Sequence, residues 1–266
     1  MTDPRNPAAQ PAVALSIAGS DPTGGAGMQL DLRVFERHDV HGMGVPTALT
    51  VQSTSGVHQV LPAFPSVVAE QLIVLLKDIV PDAIKIGMLA TDDVLLSVAR
   101  VLDHYAIPRV VDPVLRASDG SELLERRAMR GLAERIISGA ALVTPNLDEA
   151  EQLTGTRDPE AAAAELLEMG AAAALITGGH ADGSPDDFLL TTRGGEWIRG
   201  TRVAGSAHGT GCALSSSITA RLARGEAIDD AVRGAKEFVA RAIERAFKRG
   251  AGEQSLLRFD SAASDS

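Results

Sequence analysis

The residues with the clearest chemistry are consecutive: His208-Gly209-Thr210-Gly211-Cys212, followed by the small, helix-compatible run Ala-Leu-Ser-Ser-Ser-Ile-Thr-Ala. Glycines at 209 and 211 let backbone N–H groups converge where a helix begins. Those unpaired donors and the helix dipole together make an anion site suited to a phosphate. Cys212 falls in the first helical turn, and the same field that draws an anion favours thiolate over thiol there. The spacing therefore predicts a base beside a phosphoryl group, with Gly209, Thr210 and Gly211 as the donors. A lone free cysteine is otherwise a small buried hydrophobe. His208 reads as a loop histidine, and the remaining histidines show no metal-ligand spacing.

Two carboxylates extend the pattern. Asp112 ends an apolar run before Pro113, and Glu149 lies in Thr144-Pro-Asn-Leu-Asp-Glu149. Mg²⁺ takes one or two carboxylates alongside phosphate oxygens and water, so both suit phosphoryl transfer. Glu149 equally suits the first turn of a helix capped by Asn146. A second glycine cluster, Gly24-Gly25-Ala26-Gly27, lacks the Lys-Ser/Thr of a P-loop and reads as a loop that approaches a small ligand closely, or as a flexible turn. Asp31 follows it inside a predicted helix, where composition alone makes it a solvated carboxylate. Gln52 follows the strand-like Thr47–Val51 run. Its amide matches the paired amine and ring nitrogen of an aminopyrimidine, though backbone or water satisfies such a group as readily.

These residues must be positioned by an alternation of strands and helices. Buried strands are predicted at Ala12–Ala18, Ala83–Gly87, Arg109–Asp112, Ala140–Thr144 and Ala172–Thr177. Helices are predicted at Ser66–Ile79 with Ser66 as N-cap, Thr91–Tyr105, Glu122–Ile137, Ala161–Met169, Thr210–Arg224 and Ile228–Lys248. A hairpin is expected from Asp187–Thr192 and Glu196–Val203. This order implies an α/β fold whose mainly parallel central sheet carries helices on both faces, with ligands gathering beyond the carboxyl ends of the strands. Gly19–Asp21, Gly87-Met88, Asp112-Pro113, Thr144–Glu149 and Thr177–Gly179 all fall at such ends.

Composition narrows the class. The 266 residues carry a formal charge of −10, which opposes non-specific contact with nucleic acid or anionic lipid. No apolar run approaches the roughly 20 residues that span a bilayer. The single cysteine makes no intrachain disulfide and needs a reducing compartment to stay free, so the cytoplasm is expected. One domain over residues 12–250 is expected, between a disordered tail at 1–11 and a flexible tail at 251–266.

The segments Ser-Ile-Ala-Gly-Ser-Asp-Pro-Thr-Gly-Gly-Ala-Gly (16–27), Lys-Ile-Gly-Met-Leu (85–89), Val-Asp-Pro-Val (111–114), Thr-Pro-Asn-Leu-Asp-Glu-Ala (144–150), Gly-Gly-His (178–180) and His-Gly-Thr-Gly-Cys (208–212), in that order, resemble the hydroxymethylpyrimidine/phosphomethylpyrimidine kinases of the ribokinase superfamily. The resemblance implies a ribokinase-like, three-layer α/β/α fold. It also implies ATP-dependent phosphorylation of 4-amino-5-hydroxymethyl-2-methylpyrimidine and then of its monophosphate, in thiamine biosynthesis. By the same resemblance, Gly19, Asp31, Gln52 and Met88 would line the pyrimidine pocket, and Gly209–Cys212 would form the anion hole with Cys212 as base. Asn146 and Thr177 would face the nucleotide, and Asp112 and Glu149 would manage Mg²⁺. Similar proteins are often homodimers. Two positions depart from the pattern. Relatives commonly carry Lys where this chain has Thr177, and another Lys in the loop that here reads Leu-Arg-Ala-Ser-Asp-Gly (115–120), leaving Arg116 as a substitute cation. A pyridoxal or pyridoxine kinase is the neighbouring alternative within the superfamily, and a non-catalytic pyrimidine-binding protein is the alternative outside enzymology.

Overall fold

The structure, a computed structural model, describes residues 10–117, 119–178, 185–200 and 207–259. Among them, the apolar runs form one nine-stranded sheet in the order β3-β2-β1-β4-β5-β6-β7-β8-β9. Its strands are β1 Val13–Ser20, β2 His41–Ser53, β3 Gly56–Pro62, β4 Ala83–Ile86, β5 Arg109–Val111, β6 Leu142–Val143, β7 Ala173–Ile176, β8 Asp187–Thr191 and β9 Gly194–Ile198. From β2 to β7 the neighbours pair in parallel; β3, β8 and β9 join antiparallel. The five predicted buried strands appear within a few residues of their expected bounds. Sequence reading left β2 as a short run and passed over β3, whose mostly exposed residues give little apolar signal.

Period-two alternation divides the strand side chains between two cores. Leu15, Ile17, Ile84, Ile86, Val111 and Ile176 face one layer. That layer contains α2 Pro65–Asp78, α3 Asp92–Leu102, the helical turns of 126–137, α5 Leu147–Thr154 and α6 Pro159–Glu168. Val110, Leu142, Ala173 and Leu175 face the other, where α1 Gly27–Arg37, α7 Thr210–Ala223 and α8 Ile228–Glu244 pack. Ser16, Lys85 and Asp112 occupy positions of this second face and meet α1 and α7. None of the described helices is long and apolar enough to cross a membrane.

Three expectations need correction. Helix α2 begins one residue earlier than predicted, because Pro65 takes the first helical position, where its missing N–H costs nothing; Phe64 is the cap residue, without a side-chain bond. The helix expected over Glu122–Ile137 is broken up. Leu124 bridges Ala90 and Glu122 bridges Arg116 as extended chain, and only then come a 3-10 turn (Arg126–Ala128), one α turn (α4, Met129–Gly131) and a π turn (Leu132–Ile137). The tail expected from 251 is folded through 259: β11 Ser255–Leu256 pairs with β10 Ala207–His208, and Leu257 is buried. Residues 1–9 and 260–266 of the expected tails lie outside the described residues, as do Gly179, His180 and residues 201–203 of the predicted hairpin.

Candidate active site

The loops after β1, β4, β5, β6 and β7 open into one cavity of about 610 Å³ at the carboxyl ends of the parallel strands. Sheet order sorts its wall. Gln52 on β2, Gly19 on β1 and Met88 after β4 line one side; Thr144 and Asn146 after β6 and Thr177 after β7 line the other. Asp112 ends the strand between them, and Gly209–Cys212 lies in the same wall. All the predicted site residues except Asp31 therefore share this cavity.

The Gly-rich loop after β1 is organised by Asp21. Its carboxylate accepts the N–H and hydroxyl of Thr23 at 2.8 and 3.0 Å and the N–H of Ala26 at 2.9 Å, and it pairs with His208 Nε2 at 3.1 Å. Burial opposes its charge, but the His208 and Thr23 hydrogen bonds outweigh burial and hold the carboxyl below the usual range. Gly27 closes this loop in the left-handed region, where a Cβ would lie 2.4 Å from Gly19 O. Gly209 sits in the same backbone region as the cap residue of α7, its missing Cβ 2.0 Å from Gly25 O. Only glycine allows the loop before α7 to rest on the Gly24–Gly27 loop in this way.

Helix α7 buries hydroxyls where an ordinary core helix buries methyls, and each hydroxyl has a partner. Ser215 donates to Asp112 Oδ2 at 3.0 Å, Ser216 to Asp31 Oδ1 at 2.6 Å, and Ser217 meets His38 Nε2 at 2.8 Å. Asp31 is thus neither solvated nor in the cavity wall, which corrects both readings of it. Its place on the inner face of α1, with Leu30, Val34 and Phe35, sends it into the sheet. There Lys85 Nζ lies 2.8 and 3.0 Å from its two oxygens, and Ser16 donates to it at 2.6 Å.

Cys212 reaches the cavity, but the expectation of a favoured thiolate is overturned. Burial, with Asp112 and Asp31 nearby and Lys85 opposing, pushes the thiol up to about 12. The helix start does not offset burial of the thiol. Glu149 is likewise pushed up to about 8 by burial and by the charge of Asp112, and burial raises Asp112 against the pull of Lys85 and Ser215. Glu149 also closes a capping box with Asn146: Glu149 N donates to Asn146 Oδ1 at 2.9 Å, and Asn146 N to Glu149 Oε2 at 3.0 Å. Asp112 raises Glu149, and Lys85, 3.7 Å from Asp112, is shared with Asp31, so the Asp112/Glu149 carboxylate pair suits a divalent cation. Among the described residues no group of three or more His, Cys, Asp or Glu side chains is placed to hold a metal. The donor set fits a Mg²⁺ shared with phosphate oxygens and water rather than a closed protein cage.

Sequence reasoning gave too little weight to His208 and Lys85 and passed over Gln254, Asp187 and Lys236, which also line the cavity. Lys85 had a visible signal, a lysine inside Ala-Ile-Lys-Ile-Gly; Gln254 had none. Near Thr177, Asp187 Oδ1 accepts from Gly178 N at 2.9 Å and Oδ2 pairs with Lys236. Arg116 lines the cavity half exposed, 3.6 Å from Glu122.

A sequence profile of the phosphomethylpyrimidine kinases matches residues 21–256. This chain belongs to the phosphomethylpyrimidine kinase family. A curated relative, the hydroxymethylpyrimidine/phosphomethylpyrimidine kinase of Streptomyces coelicolor, is 40% identical over 95% of this chain and 96% of its own. The crystal structure of phosphomethylpyrimidine kinase from Clostridium difficile 630 superposes with a TM-score of 0.78 at 35% identity, covering 87% of this chain and 99% of that one. The pyridoxal kinase from Staphylococcus aureus in complex with ADP gives 0.85 at 33% identity, over 94% and 93% of the two chains. The fold is that of these kinases, and the protein is a phosphotransferase.

Proposed function

We propose that this phosphomethylpyrimidine kinase family member phosphorylates 4-amino-5-hydroxymethyl-2-methylpyrimidine and then its monophosphate, using Mg-ATP. One observation carries the reading. An amide loop, two buried carboxylates and a Gln/Met/Gly wall share one cavity, with Gln52, Gly19 and Met88 on the β2-β1-β4 side and Asn146 and Thr177 on the β6-β7 side. Gln52, Gly19 and Met88 hold the pyrimidine. Asn146 and Thr177 face the nucleotide, and the N–H groups of Gly209–Cys212 take up charge on the transferred phosphoryl group. Asp112 and Glu149 hold the Mg²⁺, which neutralises phosphate charge when bound. The thiol of Cys212 is protonated in the free protein at neutral pH. Cys212 therefore takes the alcohol proton only late, once its own Sγ–H proton has passed to water in the cavity. Positioning contributes more than base strength, because phosphoryl transfer passes through a loose transition state.

The S. coelicolor relative, a hydroxymethylpyrimidine/phosphomethylpyrimidine kinase, favours the aminopyrimidine, and the S. aureus pyridoxal kinase makes pyridoxine the necessary competitor. ADP release by the purified protein with each pyrimidine and with pyridoxine, with and without EDTA, tests this. EDTA-sensitive turnover of both pyrimidines is expected. Turnover of pyridoxine alone reassigns the substrate, and silence with all three leaves a binding protein. We also propose a homodimer, supported by the exposed apolar side chains Leu49, Val51, Leu61, Phe64 and Val74 along β2, β3 and α2, and the cytoplasm as its workplace, since Cys212 must stay reduced.

A further inference from the structure

Lys85 is a cation in the middle of a central parallel strand, with no exposure to solvent. Burying an ammonium there is costly unless it is paired and hydrogen-bonded. Asp31 pairs it through both oxygens, and Ser16 and Ser216 fill the remaining acceptor sites of Asp31. Asp112 Oδ2 lies 3.7 Å from the same Nζ, an ion pair without a hydrogen bond. Helix α7 is tied to the same charges at two successive residues, Ser215 on Asp112 and Ser216 on Asp31. The helix that supplies the anion loop is therefore registered on the sheet through Lys85 rather than through apolar packing alone. The glycine after β4 keeps the place open: a Cβ on Gly87 would come within 3.2 Å of Lys85 Nζ.

We propose that Lys85, anchored on Asp31, is a positioning residue for phosphoryl transfer: it neutralises Asp31, holds the Asp112 carboxylate at the cavity floor, and sets the depth of the Gly209–Cys212 amides. This rests on the phosphoryl-transfer reading of the cavity, but it does not depend on which alcohol is the acceptor. The pair is far more charge than the core needs, so its removal as a unit separates packing from function.

The test uses the full chain with the neutral double replacement Lys85→Met/Asp31→Asn, and separately Ser216→Ala, which cuts one tie of α7 and keeps both charges. For the double variant the expected result is a cooperative melt, a pyrimidine KM within about threefold of the parent and a kcat lower by on the order of 10²-fold, the scale of a reacting group misplaced by about 1 Å. Mg-ADP binding, read by calorimetry without any acceptor, is expected to weaken by about tenfold through the displaced Asp112. Ser216→Ala is expected to lower kcat by a smaller factor with KM unchanged. A folded double variant with parental kcat and parental Mg-ADP affinity overturns the proposal and leaves the pair a packing device. If the double variant does not fold, Ser216→Ala decides: parental kcat overturns the proposal, and a kcat loss at constant KM supports it. Calorimetry keeps this result separate from the substrate question, since a parent silent toward pyrimidines still reports Mg-ADP affinity.

Discussion

His208 Nε2 lies 3.1 Å from Asp21 Oδ2, joining two loops 187 residues apart in the chain. Asp21 holds the Gly-rich loop after β1, and His208 immediately precedes the Gly209–Cys212 amides, so one contact ties the loop beside the proposed acceptor wall to the proposed phosphoryl site. The Gln52 side-chain amide ends 3.3 Å from the same ring nitrogen; with that N–H given to Asp21, the amide is left for another partner. His208→Ala leaves the buried Asp21 carboxylate short of a partner. A hydrogen bond to a charged group contributes about 1.5–3 kcal/mol, so a drop in kcat/KM of about tenfold or more is expected in steady-state assays. Parental kinetics would show that Thr23 and Ala26 hold the loop unaided.

Cys212 gives two linked expectations. With the thiol held up to about 12, iodoacetamide labelling of the chain's single cysteine should be slow at neutral pH and still rising at pH 10. An ordinary thiol has levelled off by then. Cys212→Ala should slow phosphorylation of the alcohol by on the order of 10²-fold and that of the monophosphate by no more than about threefold, because the second acceptor is already an anion. Equal losses in the two steps would remove the base assignment.

Thr177 lines the cavity on the side proposed for the nucleotide, and the nearby Lys236 is already engaged by Asp187. Thr177→Lys adds a cation facing the phosphates. Mg-ATP binding should tighten by roughly tenfold, about 1.4 kcal/mol, measured as KM for ATP. No change would mean that another cation already serves the phosphates.

His38 is buried against Phe238 and Ser217, and burial, with Arg221 and Arg224 close by, lowers its pKa to about 4. The folded state therefore binds the proton more weakly than the unfolded chain. The sign follows: this contribution is present in full above the unfolded pKa of about 6.5 and is lost as pH falls toward 4, with on the order of 3 kcal/mol at stake. Urea midpoints between pH 7 and pH 4.5 should fall more steeply for the parent than for His38→Gln. Parallel slopes would assign the acid sensitivity to carboxylates instead.

The sequence made the strands legible because parallel strands covered on both faces must be apolar, as Ala83–Ile86 and Ala173–Ile176 are. It made the anion loop legible because glycine is required at 209 by a backbone clash. It misplaced Asp31 because a helix carboxylate looks the same whether it faces water or a lysine on a neighbouring strand. Helical phase alone does not choose between them. The thiol of Cys212 was misjudged for a related reason. The helix start is local and visible, whereas Asp31 and Asp112 come from elsewhere in the chain. Gln254 was invisible, since its place in the cavity depends on β11 pairing with β10.

That pairing has a consequence for how the molecule is made. Ala207-His208 receives its strand partner from Ser255-Leu256, among the last described residues to leave the ribosome. The sheet and the anion loop can assemble while the chain is still being synthesised, but the wall behind His208 cannot. A chain that stops before Ser255 lacks the strand that pairs with Ala207-His208, and with it the backing of His208. A fusion that pulls on residues just behind Leu257 acts on the acceptor pocket as directly as a substitution inside it.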